Sequence, residues 1–396
     1  MFLLNHYQKP SHLTVSDGTT QECLLSEEGC TQGDPAAMTF YALGVKPLID
    51  QLYDGTNKDL CMQSWYADDS SAIGKLKEIR NWWQKLSTLG LKYGYYPKAC
   101  KTHLVLKDPS LMNRAKSLFA NTGIKITIQG QRHLGAVIGT DANRCKYVQS
   151  KVNKWIKDIT ELADIAREEP QAALSAYTKS ICHRWTFIQR TIPNTTDLFI
   201  PLEDSIRNVF IPSIIGRAVS DIERKILSLP VRFGGLGIAN PSENTEREYE
   251  ASQMVTKYLS ELILKQEQDF SLYNQDSVNK TVQDLKKAKE DFLSTKFQNI
   301  LTTLGENESL KRCLKLNREK GIGSWLTVLP LKDQGYCLNK QEFKDAICLR
   351  YGWKVPNMPQ YCGCGALNGI NHALICAKGG YVSIRHDALR DLNVDL

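Results

Sequence analysis

The chain has 396 residues, a formal net charge of +7, 42% hydrophobic residues and 23% charged residues, a globular composition long enough for two or three domains with real cores. No apolar run approaches the roughly 20 residues of a membrane span, and polar Asn5 and His6 directly after Met1-Phe2-Leu3-Leu4 leave no secretory signal core. The expectation is therefore a chain neither secreted nor membrane-spanning, with twelve dispersed cysteines that read as reduced thiols of a nuclear or cytoplasmic protein, and the modest basic excess fits a nucleic-acid binder without singling one out.

In chain order, His12 to Val15 and Thr19 to Cys23 read as a hairpin about Ser16-Asp17-Gly18, because Asp-Gly supplies the tight turn. Glu28-Gly29-Cys30-Thr31-Gln32-Gly33-Asp34-Pro35 reads as a loop feeding a helix, with Asp34 as N-cap and Pro35 in the first helical position. Met38, Tyr41, Ala42, Val45, Leu48, Ile49 and Leu52 then recur at helical spacing. Gly29 and Gly33 also let a backbone approach a nucleotide closely. Next comes a strand through Leu60-Cys61-Met62 into Trp65-Tyr66-Ala67-Asp68-Asp69-Ser70. Lys75 to Gly90 is an amphipathic helix, Thr102 to Leu106 a strand, Pro109 to Ala120 a helix, and Ile124 to Gln129 and Leu134 to Ile138 short strands.

From about Lys146 the pattern turns to long helices. Val148, Val152, Trp155, Ile159 and Leu162 form one stripe, Leu174, Tyr177, Ile181, Trp185 and Ile188 a second, and Leu202, Ile206 and Phe210 a third, with Pro193, Pro212 and Pro230 as punctuation. Lys265 to Arg318 is polar, and its lysines, Lys280, Lys286, Lys287, Lys289 and Lys296, suit a solvated helix face or phosphate contacts.

Two constellations carry chemistry. Adjacent Asp68 and Asp69 would repel inside a strand, but at a hairpin tip both can face a divalent metal, the arrangement used for two-metal phosphoryl transfer. Cys362, Cys364, His372 and Cys376 are a plausible tetrahedral Zn2+ set, with His386 as a fallback ligand. The one-residue spacing of the first pair leaves open the alternative of three loop thiols beside an incidental histidine.

The Gln-Gly-Asp-Pro loop and the Tyr66-Ala67-Asp68-Asp69 tetrapeptide, in this order, resemble motifs B and C of reverse transcriptases from non-LTR (LINE-type) retrotransposons. Tyr96-Pro97-Lys98-Ala99-Cys100-Lys101-Thr102 looks like motif D, and His133-Leu134-Gly135-Ala136-Val137-Ile138-Gly139 is similar to the primer-grip turn. Leu229 to Ile238 resembles a stretch beyond the thumb, and the cysteine cluster the zinc knuckle that precedes a restriction-like endonuclease in similar elements. Cys30 and Ala36 depart from the Thr and Leu usual in motif B.

The resemblance implies an α+β fold: a partial right-hand polymerase palm over residues 1–142, a helical thumb over 143–240, a helical connector over 241–355 and a zinc-knuckle-like segment over 356–396. It implies Asp68 and Asp69 as ligands of Mg2+ or Mn2+, Lys101 as proton donor or charge partner for the departing pyrophosphate (with Lys98 close enough to be confused with it), and Tyr66 against the primer end. Gln32 and Gly33 would lie beside the template base pair. The partners implied are an RNA template, a DNA primer or target and deoxynucleoside triphosphates, with no membrane. On the same resemblance, the motif A carboxylate and the fingers should precede motif B, where the only Asp is Asp17 in a turn. The expectation is an RNA-directed DNA polymerase chain that does not polymerise alone. The alternative is a non-catalytic nucleic-acid binder using the thumb and knuckle, with Tyr361, Lys378, Tyr381 and Arg385 near the strand.

Overall fold

Short strand signals at the N-terminal end and long apolar stripes beyond them sort into two units in the computed structural model, Met1–Ile128 with Leu259–Leu272, and Gln129–Tyr258 with Tyr273–Leu396. The structure describes residues 9–27, 34–55, 59–267, 269, 273–356, 358–379, 382–384, 386–387 and 390. Among these, helices and four small two-stranded sheets coexist, in agreement with the α+β expectation. No helix among them is long and apolar enough to cross a membrane.

In the first unit, β1 (Ser11–Ser16) pairs antiparallel with β2 (Gln21–Ser26). Asp17 closes their turn by accepting hydrogen bonds from the Thr20 and Thr19 amides at 2.7 and 2.8 Å and from the Thr19 hydroxyl at 2.8 Å. These donors hold its carboxyl well below the ordinary range, so Asp17 is a turn residue whose Oδ1 accepts all three hydrogen bonds. Helix α1 (Ala37–Asp54) starts later than Pro35. The residue before a proline avoids helical angles, so Asp34 caps from a preceding turn and accepts from the Ala36 amide at 2.7 Å.

β3 (Cys61–Tyr66) and β4 (Asp69–Gly74) form an antiparallel hairpin, followed by α2 (Leu76–Leu89). Trp82, Trp83 and Leu86 of α2 share a core with Val45, Leu48, Leu52 and Cys61. β5 (His103–Val105) runs parallel to β6 (Lys125–Thr127), joined through α3 (Met112–Leu118), over a small core of Leu104, Leu106, Ala115 and Phe119.

The second unit opens with the hairpin β7 (Gly130–His133) and β8 (Ala136–Gly139). Leu134 and Gly135 turn at φ 46° and 83°, the left-handed pair that a two-residue hairpin loop needs. Helices α4 (Asp141–Glu168), α5 (Pro170–Lys179), α6 (Thr186–Thr191) and α7 (Ile200–Ser205) follow. The third apolar stripe then continues through a π turn, Ile206–Phe210, into α8 (Ile211–Ile215). Pro212 does not end this helix. It lacks an N–H and crowds the carbonyl four residues back, at Asn208, and the helix widens there.

Helices α9 (Asp221–Ser228), α10 (Pro241–Leu264), α11 (Gln275–Thr303), α12 (Glu308–Leu316) and α13 (Lys340–Tyr351) follow. Segments 143–240 and 241–355, read from the sequence as thumb and connector, share one core. Trp155, Tyr177, Phe199 and Phe210 lie in the same cluster as Phe297, Leu314, Phe343 and Tyr351.

A capping box starts α9: the Ser220 hydroxyl accepts from the Glu223 amide, and the Glu223 carboxylate accepts from the Ser220 amide at 2.9 Å. Burial alone would raise the Glu223 carboxyl, but hydrogen bonds from Arg217, at 2.6 and 3.2 Å, and from Ser220 hold it below its ordinary value. Its stabilising contribution is therefore complete above the ordinary Glu pKa of 4.5 and is lost as the pH falls through the lower folded value. Glu223→Gln is expected to cost about 1 kcal/mol near neutral pH. The gap in melting temperature from wild type should narrow as the pH falls below the ordinary Glu value, and a gap independent of pH would refute the assignment.

Candidate functional site

The two-residue loop Ala67-Asp68 joins β3 to β4, and Tyr66 pairs with Asp69 across the base of the turn. Ala67 sits at φ 51°, a left-handed conformation costing a non-glycine residue on the order of 1 kcal/mol, and such strain concentrates at functional positions. Asp68 and Asp69 are both exposed at this tip, and Tyr66 is exposed beside them.

The tip is held from one side by Tyr95. Its hydroxyl donates to the Asp68 carbonyl at 2.8 Å and lies 2.9 Å from the Ser70 hydroxyl, while its ring meets Trp65 edge-on at 5.2 Å. Burial, reinforced by Asp68 and Asp69, pushes the Tyr95 phenol above its ordinary value against the opposing Ser70 hydrogen bond. Burial, then Tyr95 and Asp68, push Tyr41 up as well. Both phenols therefore stay protonated beside the carboxylates.

The stem is fixed at Gln63. Its side-chain oxygen accepts from the indoles of Trp65 and Trp82 at 3.2 and 3.0 Å. Its backbone faces away from β4, as expected of a non-hydrogen-bonded pair with Ala72. There the Gln266 side-chain amide takes the place of a neighbouring strand. Its oxygen accepts from the Gln63 N–H, and its nitrogen donates to the Gln63 carbonyl, each at 2.9 Å. The Tyr53 hydroxyl donates to the Gln266 backbone carbonyl at 2.6 Å. Nothing in the sequence near Gln266 signals this role.

Lys101 ends a short turn, Ala99–Lys101, and is exposed, as is Lys98. No hydrogen bond or ion pair among the described residues links Lys101 to Asp68 or Asp69. No third carboxylate, histidine or thiol among the described residues joins the two aspartates in a ligand cluster. Gln32 and Gly33 lie outside the described residues, as do Tyr381 and Arg385.

The second site is brought together fully. Ligand atoms of Cys362, Cys364, His372 and Cys376 all lie within 4.8 Å of one another. Cys362 and Cys364 sit in a tight turn closed by the Gly365 amide on the Cys362 carbonyl (2.8 Å) and the Cys362 amide on the Ala366 carbonyl (2.9 Å). Gly365, at φ 89°, lets the chain reverse there. Helix α14 (Ile370–Ile375) presents His372 and ends at buried Cys376.

The Cys362 and Cys376 sulfurs are 3.6 Å apart, and the Cys364 sulfur is 3.2 Å from His372 Nε2. Zinc bonds of about 2.3 Å to sulfur and 2.0 Å to nitrogen give tetrahedral edges of roughly 3.5–3.8 Å, so the donor set fits a metal such as zinc. The Cys364 amide draws the Cys362 thiol down, but the neighbouring thiols and desolvation outweigh it and push it up. A bound cation removes that penalty by taking the thiolates as ligands. The fallback ligand His386 stands outside the cluster, 3.8 Å from Asp387 and mostly exposed. Comparison of the chain with family models, with curated proteins and with solved structures found no match.

Proposed function

We propose that this chain carries the metal-binding hairpin and helical thumb of a reverse transcriptase of the non-LTR retrotransposon type, together with a zinc knuckle that engages nucleic acid. The observation that supports the reading is the strained two-residue turn that presents Asp68 and Asp69 side by side, exposed and braced by Tyr95. In this reading the two carboxylates hold Mg2+ or Mn2+, Tyr66 packs on the primer end, and Lys101 faces the triphosphate. Zn2+ is held by Cys362, Cys364, His372 and Cys376. The substrates are deoxynucleoside triphosphates on an RNA template with a DNA primer.

Two-metal transfer clamps its ions with carboxylates from more than one strand. With only Asp68 and Asp69 clustered among the described residues, the polypeptide is expected to bind primer–template without extending it. Primer extension on an RNA template with Mg2+ tests this, comparing wild type with Asp68→Ala. No extension by either is the expected result. Extension abolished by Asp68→Ala would keep the polymerase reading and place the third carboxylate elsewhere in the chain.

The second reading, a nucleic-acid binder without chemistry, is favoured by the formed Cys3His cluster, because the hairpin tip gathers only two carboxylates among the described residues. It requires RNA binding that falls steeply with salt, and salt-insensitive binding or none at all would remove it.

A further inference from the structure

A cavity of about 320 Å³ lies in the second unit, and none of its lining residues belongs to the Cys3His cluster. Its lining is Arg167 from the last turn of α4, Asn208 and Val209 of the π turn, Pro212 and Ser213 just beyond it, and Lys344 of α13. π turns concentrate at functional sites, and this volume is at the lower end for small-ligand pockets, which begin at roughly 300 Å³.

The charges around it are unevenly matched. Asp164 is engaged by Arg167 at 3.1 Å, and Glu168 by Lys340 at 3.1 Å. The Lys344 ammonium has no hydrogen-bond or ion-pair partner among the described residues. Burial, then the charge of Lys340, press Lys344 below its ordinary pKa, with Glu168 opposing. Ser213 already donates its hydroxyl to the Val209 carbonyl at 2.9 Å. The donors left for a ligand are the Lys344 ammonium, the Arg167 N–H groups that do not meet Asp164, and the Asn208 amide.

We propose that this cavity binds a phosphate group, held between Lys344 and Arg167 with the Asn208 amide as a third donor. The dianion matches the two cationic side chains that line the cavity, a guanidinium suits the geometry of its oxygens, and the remaining volume takes part of whatever the phosphate is attached to. The group belongs either to a small phosphorylated molecule or to a nucleic-acid backbone. The proposal stands whether or not the chain polymerises.

Calorimetric titration of the full chain tests it, with inorganic phosphate and separately with a single-stranded RNA oligonucleotide. Wild type is compared with Lys344→Gln and Asn208→Asp, each checked for an unchanged melting profile. The exposed Asn208 position keeps the test usable if the Lys344 variant misfolds. Saturable phosphate binding weakened at least about 10-fold in the folded variants is expected. A parallel loss of RNA affinity in Lys344→Gln, with a salt slope reduced by about one, assigns the phosphate to a nucleic-acid backbone. Unchanged RNA affinity assigns it to a small molecule. Absence of saturable phosphate binding by wild type, or unchanged affinity in a correctly folded variant, overturns the proposal.

Discussion

Cys376→Ser is expected to lower zinc affinity at least 100-fold and to open residues 361–376 to proteases, leaving the large helical core folded. Cys376 is the buried member of the candidate ligand set, and the segment's own structure is slight: backbone hydrogen bonds of the Cys362–Ala366 turn, a bridge between Tyr361 and Leu367, and a six-residue helix. So short a helix is not stable by itself, and in small sites of this kind metal-binding energy, about 10 kcal/mol or more, is folding energy. The wild-type chain should carry one zinc, and its cobalt-substituted form should show the thiolate-to-metal band of a three-sulfur site. Acid should release the metal, because the thiols must give up protons to bind it. A wild-type chain that takes up neither zinc nor cobalt would end this assignment.

Arg224→Met should cost about 3–5 kcal/mol of stability. Arg224 and Glu203 form a bidentate pair, both bonds 2.7 Å long, with side chains only 6% and 11% exposed. The guanidinium also donates to the Ile238 carbonyl at 2.7 Å. Removing the cation leaves a carboxylate and a carbonyl in the core without their strongest donor. The double variant Glu203→Leu with Arg224→Met should regain most of the loss, since an apolar pair carries no desolvation debt. Denaturant unfolding of the three proteins measures both effects. A loss below about 1 kcal/mol in the single variant would mean that the pair is hydrated in solution.

Local chemistry was legible in the sequence, and long-range chemistry was not. The Asp-Gly turn, the α2 stripe and the Cys3His cluster are each set by residues a few positions apart, and each is found where spacing predicts it. Even the unusual Cys-x-Cys pair joins the cluster, because Gly365 and the Ala366 carbonyl shape the turn around it. Gln266 reaches back 203 positions to Gln63, and no periodicity encodes that. Arg224 and Glu203 are two charged residues in otherwise apolar stripes, and nothing local pairs them. The start of α1 was misplaced because a good capping residue next to proline caps from outside the helix. Pro212 was read as a stop because a proline inside a helix usually ends it, whereas here a π turn absorbs the misfit.

The Gln266 amide also imposes an order on synthesis. A ribosome releases residues 129–258, enough to build much of the second unit's helical core, before the residue that covers the outer edge of β3. Until then the nascent acidic hairpin has an open edge at Gln63, able to pair with another strand, and its stem is fixed through the Gln63 side chain, which accepts from Trp65 and Trp82 and donates to the Ile49 carbonyl. The first unit is therefore finished only when its second segment, Leu259–Leu272, emerges, and a chain interrupted before residue 266 carries the acidic turn on a stem without its latch.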